Sequence, residues 1–476
     1  MIRLTYGAAT LLGGAPLAIV LLAGPAQADC YLDIVRITCD AITIVDGPDA
    51  IETRPVGPFL GSFVNVLTGA EINTRTTFPG SGAIDFSDGI AVVARIEEGA
   101  RVTGGYGIAG GPLSEITNLG DISGVGPGVW IVGAFGNDVN SLGFGGPAVI
   151  TNGQIAFDSN GQGIMSSATI SSERYYGVGL GRVSNVMNFG TFEGYTSGLQ
   201  MDGSTAMNYG VIRNTFDPAD GPYSTGTGFG PGGVVITGGS LSNMAGALIE
   251  ADNAVGVRVL GTNPLARPDS PSGVRSDTVA TIINSGTIRG TVGIDGTTSA
   301  ARIIARDHLI SLEGGTIEGT SGLAMSLGAG DDAFFMHGGA SLIGGADFGD
   351  GKDTLTFQSN YEFFEDFAGG AMIDGGLGLD SMVFSNLLIE DFDLLFDDGA
   401  GALSLRVDDK FELNIKSWES FEMADNRQFS ASAFVDELRS MPAPVPLPAG
   451  LWMFATGFLA LGALRGRRRA HPTTSA

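Results

Sequence analysis

"NFGTFEGYTSGLQMDGSTAMNYGVI", residues 188–212, contains the phrase Asn-x-Gly-x-apolar twice, with Gly198-Leu199-Gln200-Met201 midway between the copies. Asn188 to Gly198 is 10 residues and Gly198 to Asn208 is 10 more, so a 20-residue unit closes on itself. The first phrase recurs at Asn118 and Asn284 and, more loosely, at Asn152 and Asn243; the second, Gly-apolar-x-apolar, recurs at Gly128, Gly256 and Gly322. Two short strands per unit are implied. Longer intervals read as the same unit with an inserted loop, "DPADGPYSTGTGFGPG" from Asp217 and "TNPLARPDSPSGVRSD" from Thr262, both rich in turn formers.

Twenty residues of short strands and glycine turns make one coil of a parallel β-helix, whose coils stack about 4.8 Å apart. The spacing therefore predicts an all-β, right-handed parallel β-helix over 110–345, with the six asparagines aligned along one turn. Stacked amides would bond to their copies above and below, and the glycine two residues on would take a positive φ. An antiparallel sandwich with Asn-x-Gly hairpins is the competing reading. It gives no reason for two motifs to return in constant order.

The composition agrees with strands and turns: 76 glycines and few lysines disfavour long helices. At the N-terminus, Arg3, an apolar run from Ala8 to Leu22 and Ala26-Gln27-Ala28 have the layout of a secretory signal peptide. Near the other end Leu451 to Leu464 is apolar and is followed at once by Arg465, Arg467, Arg468 and Arg469. Arginines hard against an apolar span resist translocation and mark its cytoplasmic side. Between these ends lie all 51 acidic residues and only 20 of the 25 basic ones, a balance that repels nucleic acid and anionic membranes and invites divalent cations. Cys30 and Cys39, the only cysteines, fall in a segment bound for an oxidising compartment and are expected to pair. Their bridge would close a short loop over the first exposed strand edge.

Val445-Pro446-Leu447-Pro448-Ala449, the apolar span and the arginines form a tripartite tail. It resembles the C-terminal sorting signals of the PEP-CTERM type, in the VPLPA variant. That resemblance implies a tail held in the inner membrane, recognised by an exosortase-like sorting transpeptidase and removed as the ectodomain moves to the cell surface. The Asn-x-Gly units and the Gly-x-Gly-x-Asp segments that follow them, about 95–425, resemble bacterial autotransporter passengers and large adhesins. No outer-membrane barrel follows them; the sorting tail stands in its place.

Three segments fit Gly-x-Gly-x-Asp-x-apolar: "GAGDDAF" from Gly328, "GDGKDTL" from Gly349 and "GLGLDSM" from Gly376. They resemble the calcium nonapeptide of RTX proteins, which makes Asp332, Asp353 and Asp380 candidate calcium ligands. The intervals of 21 and 27 residues are not the tandem nine of that repeat, and structural turns at the coil spacing explain the segments as well. His308, His337 and His471 share no motif, and no nucleophile elbow, zinc motif or phosphate loop is present. Asp331 with Asp332, or Asp408 with Lys410, are the candidate acid and base groups of an enzyme on this scaffold.

The division expected is a signal peptide (1–28), an N-terminal cap with the first coils (29–95), the Asn-x-Gly repeat (96–345), C-terminal coils with Gly-x-Gly-x-Asp turns (346–430), a linker with the sorting motif (431–449) and the membrane segment with its basic tail (450–476). The function expected is structural or adhesive, at the cell surface or in a biofilm matrix. Its partner would be an extracellular polysaccharide or another cell-surface molecule. A polysaccharide lyase or hydrolase is the alternative, recognisable by a groove of carboxylates and a basic residue along the coils.

Overall fold

The computed structural model describes most of residues 30–441. Outside the description lie 1–29, 442–476, the connecting stretches 34–35, 40–41, 46–50, 53–62, 75–81, 87–91, 132–147, 158–162, 181–183, 221–229, 261–279, 298–307, 359–371 and 408–410, and five single positions. The chain is mostly β, and nearly all of its strands belong to one large, largely parallel sheet. Within the coils a strand pairs not with its sequence neighbour but with the equivalent strands one circuit before and after. Asn185–Asn188 pairs with Val149–Asn152 behind it, Thr191–Gly194 with Thr169–Ser172, and the start of Ser197–Asn208 with Tyr176–Leu180. The result is a coil with three faces, an arrangement compatible with a β-solenoid.

Three strand segments per coil replace the two expected, and the reason lies in where the motif sits. Asn188 ends the first-face strand and Thr191 opens the second-face strand, so Asn-x-Gly marks a corner between two strands. The Gly-apolar-x-apolar phrase supplies the third face, as in Leu199–Met201. Inside, the alternation expected of half-buried strands is strict. On the second face Ile122, Ile170, Phe192, Ile212 and Ile249 fall in register in successive coils, each at most 1% exposed.

The six asparagines stack as the sequence predicts, Asn118 over Asn152, Asn188, Asn208, Asn243 and Asn284, each in register with the next. All are at most 1% exposed. From Asn118 to Asn243 each Nδ2 donates to the Oδ1 of the next coil's asparagine, at 2.8–2.9 Å, and the last, Asn284, donates to the Thr316 carbonyl at 2.9 Å. Asn188 shows the full set. Its Nδ2 donates to Asn208 Oδ1 (2.8 Å) and to the Val211 carbonyl (2.9 Å), while its Oδ1 accepts from Asn152 Nδ2 (2.9 Å) and from the Gly190 N–H (3.2 Å). Two donors and two acceptor sites exhaust a carboxamide, so the side chain is buried at no net loss of hydrogen bonds.

The motif glycine works by another means than the one expected. None of the four glycines that stand two residues after their asparagine, Gly120, Gly190, Gly210 and Gly286, has a positive φ; only Gly153 and Gly246 of the looser copies do (80° each), and they stand one and three residues on. What these four require is the absence of a Cβ. A Cβ on Gly190 would stand 2.2 Å from the Ala168 carbonyl oxygen, and one on Gly210 would stand 2.1 Å from that of Gly190.

Both ends of the stack are covered. At the start Cys30–Asp33 runs antiparallel along Arg36–Cys39, with Cys30 opposite Cys39, and Cys39 is disulfide-bonded. At the far end the third face closes in the antiparallel strands Phe392–Asp397, Ala402–Val407 and Phe411–Lys416, and the first in the hairpin of Ser420–Glu422 with Gln428–Ser430. Residues 431–440, expected to be linker, form an α-helix instead. Ser430 Oγ caps it by accepting the Ala433 N–H, and Phe434, Val435 and Leu438 are buried. Phe434 stacks on Phe421 at 4.4 Å and meets Phe392 edge-on at 5.8 Å. The apolar i, i+1, i+4 spacing of these three residues was legible in the sequence; the proximity of the sorting motif obscured it.

Asn208→Ala is expected to cost about 2–4 kcal/mol, because it leaves the Asn188 amide hydrogen and the Asn243 carbonyl oxygen buried without partners. Asn118→Ile should cost less than half as much, since the ladder has one neighbour there and Ile96 holds the same register in the coil before. Urea unfolding of the two variants checks the ordering.

Candidate functional site

The three Gly-x-Gly-x-Asp turns lie directly over one another. Ala329 bridges to Asp350, and Asp350-Gly351 pairs in parallel with Leu377-Gly378. Intervals of 21 and 27 residues thus equal one coil each, so the spacing is no obstacle to stacking. The glycines are needed for contact: a Cβ on Gly351 would meet the Gly330 carbonyl oxygen at 1.7 Å, and one on Gly378 that of Gly351 at 1.6 Å.

Inside these turns Asp332, Asp353 and Asp380 form a second ladder, each at most 1% exposed. The Asp332 N–H donates to Asp353 Oδ1 (2.8 Å), the Asp353 N–H to Asp380 Oδ1 (2.9 Å), and the Asp380 N–H to Glu419 Oε2 (2.7 Å). Oδ2 of Asp353 and Oδ2 of Asp380 are buried and have no hydrogen-bond partner. Burial, reinforced by the charges of Asp332 and Asp380, pushes the Asp353 carboxyl up to about 7 against the opposing Asp332 N–H. Burial likewise pushes Asp380 up to about 6, with Glu419 and Asp374 adding to it and the Asp353 N–H opposing.

Two buried carboxylate oxygens without donors call for a proton or a cation. Carboxylate oxygens are calcium ligands by type, and a shell here would take its remainder from water or main-chain carbonyls. Several of those carbonyls are already engaged, since Gly328 accepts from Asp350 N–H and Gly349 from Leu377 N–H, both at 2.7 Å. Among the described residues no group of three or more His, Cys, Asp or Glu side chains gathers at one point to hold a metal. The donor set is that of a weak site.

A further line of ionisable groups escaped the sequence reading. Along the outside of the third face Arg258, Asp295, Ser326, Asp347, Asp374 and Lys416 fall in register in successive coils. No local motif links them, and only the register brings them together. Arg258 Nη1 holds Asp295 Oδ2 at 2.9 Å, both side chains being largely buried, and Lys416 Nζ holds Asp374 Oδ2 at 2.8 Å. Partial burial raises Asp374, but hydrogen bonds from Lys416, Ser417 and Gly376 outweigh it and hold the carboxyl below the usual range. Asp347 moves the other way, raised by desolvation and then by the charge of Asp374.

Of the remaining predicted residues, Asp331 is exposed and accepts the Lys352 N–H at 2.9 Å. It faces solvent while its neighbour Asp332 is buried, so the pair does not share a site. Asp408, Lys410, Val445–Ala449 and the tail arginines lie outside the described residues. No helix among the described residues is long and apolar enough to cross a membrane, and 451–464 lies beyond them. A cavity of about 310 Å³ beneath the C-terminal helix, between Trp418 and Val435, is bordered by the Arg439–Asp397 ion pair. No protein-family model, curated protein or solved structure matches the chain.

Because the folded pKa values of Asp353 and Asp380 are raised, their carboxyls favour the folded state fully below about pH 4. That contribution is lost as pH rises through 6 to 7. With a chelator present, Asp353→Asn is expected to be more stable than the parent at pH 8, by on the order of 2 kcal/mol, and to converge with it near pH 4. Thermal melts at the two pH values decide this. Calcium at pH 8 should raise the melting temperature of the parent slightly and leave the variant unmoved.

Proposed function

We propose that the chain is an exported, surface-displayed right-handed parallel β-helix with a structural or adhesive role in matrix or cell contact. The right hand follows from the general chirality of parallel crossovers. The observation that carries the reading is the uninterrupted internal ladder, in which six buried carboxamides lock successive coils together. The outer surface repeats the pattern: on the second face Glu193 meets Arg213 at 2.6 Å and Arg289 meets Glu318 at 3.6 Å. Side chains that bind one another across coils favour a stiff scaffold over a reactive cleft.

The alternative, a polysaccharide lyase or hydrolase, would draw on the third-face column. There Asp295 and Asp374 are neutralised by Arg258 and Lys416, so neither carboxylate stands ready as a free general base. The Gly-x-Gly-x-Asp turns fit the scaffold role, since a cation held between coils would add to the stiffness of the last third.

Export would use residues 1–28, and sorting would use Val445–Ala449 with the span and arginines behind it. The apolar stretch is shorter than the roughly 20 residues of a stable membrane helix, which suits a temporary stop. An exosortase-like transpeptidase would cut near this motif. Mass spectrometry of surface material from the native host is expected to find no peptide beyond about Ala449. A mature C-terminal peptide containing His471 would overturn the sorting step and leave a plain membrane anchor.

A further inference from the structure

Six aromatic side chains lie outside the coils where the second face turns into the third. Tyr106 and Trp130 sit one coil apart with ring centroids 5.3 Å apart. Tyr176 follows on the next coil, its ring lying against Gly179, where a Cβ would come within 2.3 Å of it. Gly126 lies against Tyr106 in the same way, a Cβ there standing 3.1 Å from the ring. At the corner itself Tyr175, Tyr195 and Phe216 occupy successive coils. The Thr196 N–H bonds to the Tyr175 carbonyl (3.0 Å), Asn214 Nδ2 bonds to the Tyr195 carbonyl (2.6 Å), and the rings of Tyr195 and Phe216 meet edge-on at 5.4 Å.

These rings do not belong to the inward core. Tyr175 is 39% exposed, and Tyr106, Trp130, Tyr176, Tyr195 and Phe216 each keep part of their surface open. Along the neighbouring second face the same coils carry Ser123, Ser171, Glu193 and Arg213 outward, the ordinary dress of a solvated sheet. A contiguous aromatic strip on a chain otherwise so acidic marks a contact surface.

We propose that this strip binds a neutral polysaccharide, its hexopyranose rings lying on Tyr175, Tyr195 and Phe216 along the direction in which the coils stack. Aromatic rings offer apolar area to the C–H faces of a pyranose, and the tyrosine hydroxyls supply a polar tip at the edge. Successive corner residues are about 4.8 Å apart, close to the length of one hexose unit in an extended chain. Gln200, outward in register with Gly179, offers both a donor and an acceptor to sugar hydroxyls. A formal charge of −26 opposes an acidic polymer, which selects the neutral class. The inference rests on the matrix-facing reading above and names its ligand class and site.

Titration of the purified protein with cellohexaose, laminarihexaose, maltohexaose and an oligogalacturonate, followed by calorimetry and tryptophan fluorescence, tests it. At least one neutral hexaose is expected to bind saturably and the oligogalacturonate not to bind. Tyr175→Ala and Tyr195→Ala should each weaken binding about tenfold, with unfolding midpoints near the parent's, while Met207→Ala on the first face should leave binding unchanged. No binding of any neutral hexaose by the folded parent, or equal binding of the oligogalacturonate, overturns the inference. Unchanged affinity in the tyrosine variants would move the site elsewhere and leave matrix contact standing. Retention of residues beyond Ala449 on the native protein would instead remove the surface-display reading, whatever the strip binds.

Discussion

The buried carboxamide ladder is the constraint on which the rest of the structure depends. A polar side chain inside a coil is costly unless each donor and acceptor is met, and here most of each amide's partners come from the coil before and the coil after. One asparagine alone would destabilise the interior; six in register support one another. The ladder therefore ties the corner of every coil from Asn118 to Asn284 to a single position and fixes where each second-face strand starts. The apolar columns fall into alignment as a consequence.

The same column runs past the asparagines in both directions and changes chemistry as it goes. Before them it holds Cys39, Val66 and Ile96, and after them Leu312, Met336, Phe357 and Phe384, all buried. At one end it meets a disulfide, at the other a cluster of phenylalanines beneath the closing helix. Where hydrogen-bonded side chains leave this corner, the aspartates of the glycine turns take up a comparable task elsewhere in the coil. Their chemistry is less complete, because a carboxylate has acceptors only, and the surplus oxygens of Asp353 and Asp380 remain without donors. An amide ladder is self-sufficient; a carboxylate ladder depends on protons or cations from solution.

The fold was legible because a single 20-residue interval carried it: Asn188, Gly198 and Asn208 specify the circuit, and the asparagines specify the corner. The third strand was missed because one motif serves the ends of two strands. The φ of the motif glycines was misjudged because close approach between coils, which sequence does not display, imposes the same residue as a left-handed turn. For the candidate site, turns at the coil spacing were one reading of the Asp332, Asp353 and Asp380 segments, and their intervals of 21 and 27 residues left that reading beside the calcium repeat. Arg258, Asp295, Asp347, Asp374 and Lys416 share no local pattern, and neither do the outward aromatics, so only the pairing register reveals them.

Where the longer connections fall along the chain has a bearing on how it can change over generations. The stretches 132–147, 261–279 and 298–307 each connect the end of a third-face strand to the start of the next first-face strand. The Asn-Gly corner, which measures register, lies between the first and second faces instead. Lengthening or shortening the chain at the former junction therefore leaves the measuring corner untouched. The corner after Asn152 is the exception, since the pair Ala156–Phe157 and Gly163–Ile164 is inserted there before the second-face strand at Thr169, and the amide still keeps its register; elsewhere heritable changes of length and the constancy of the register fall at different corners of the coil.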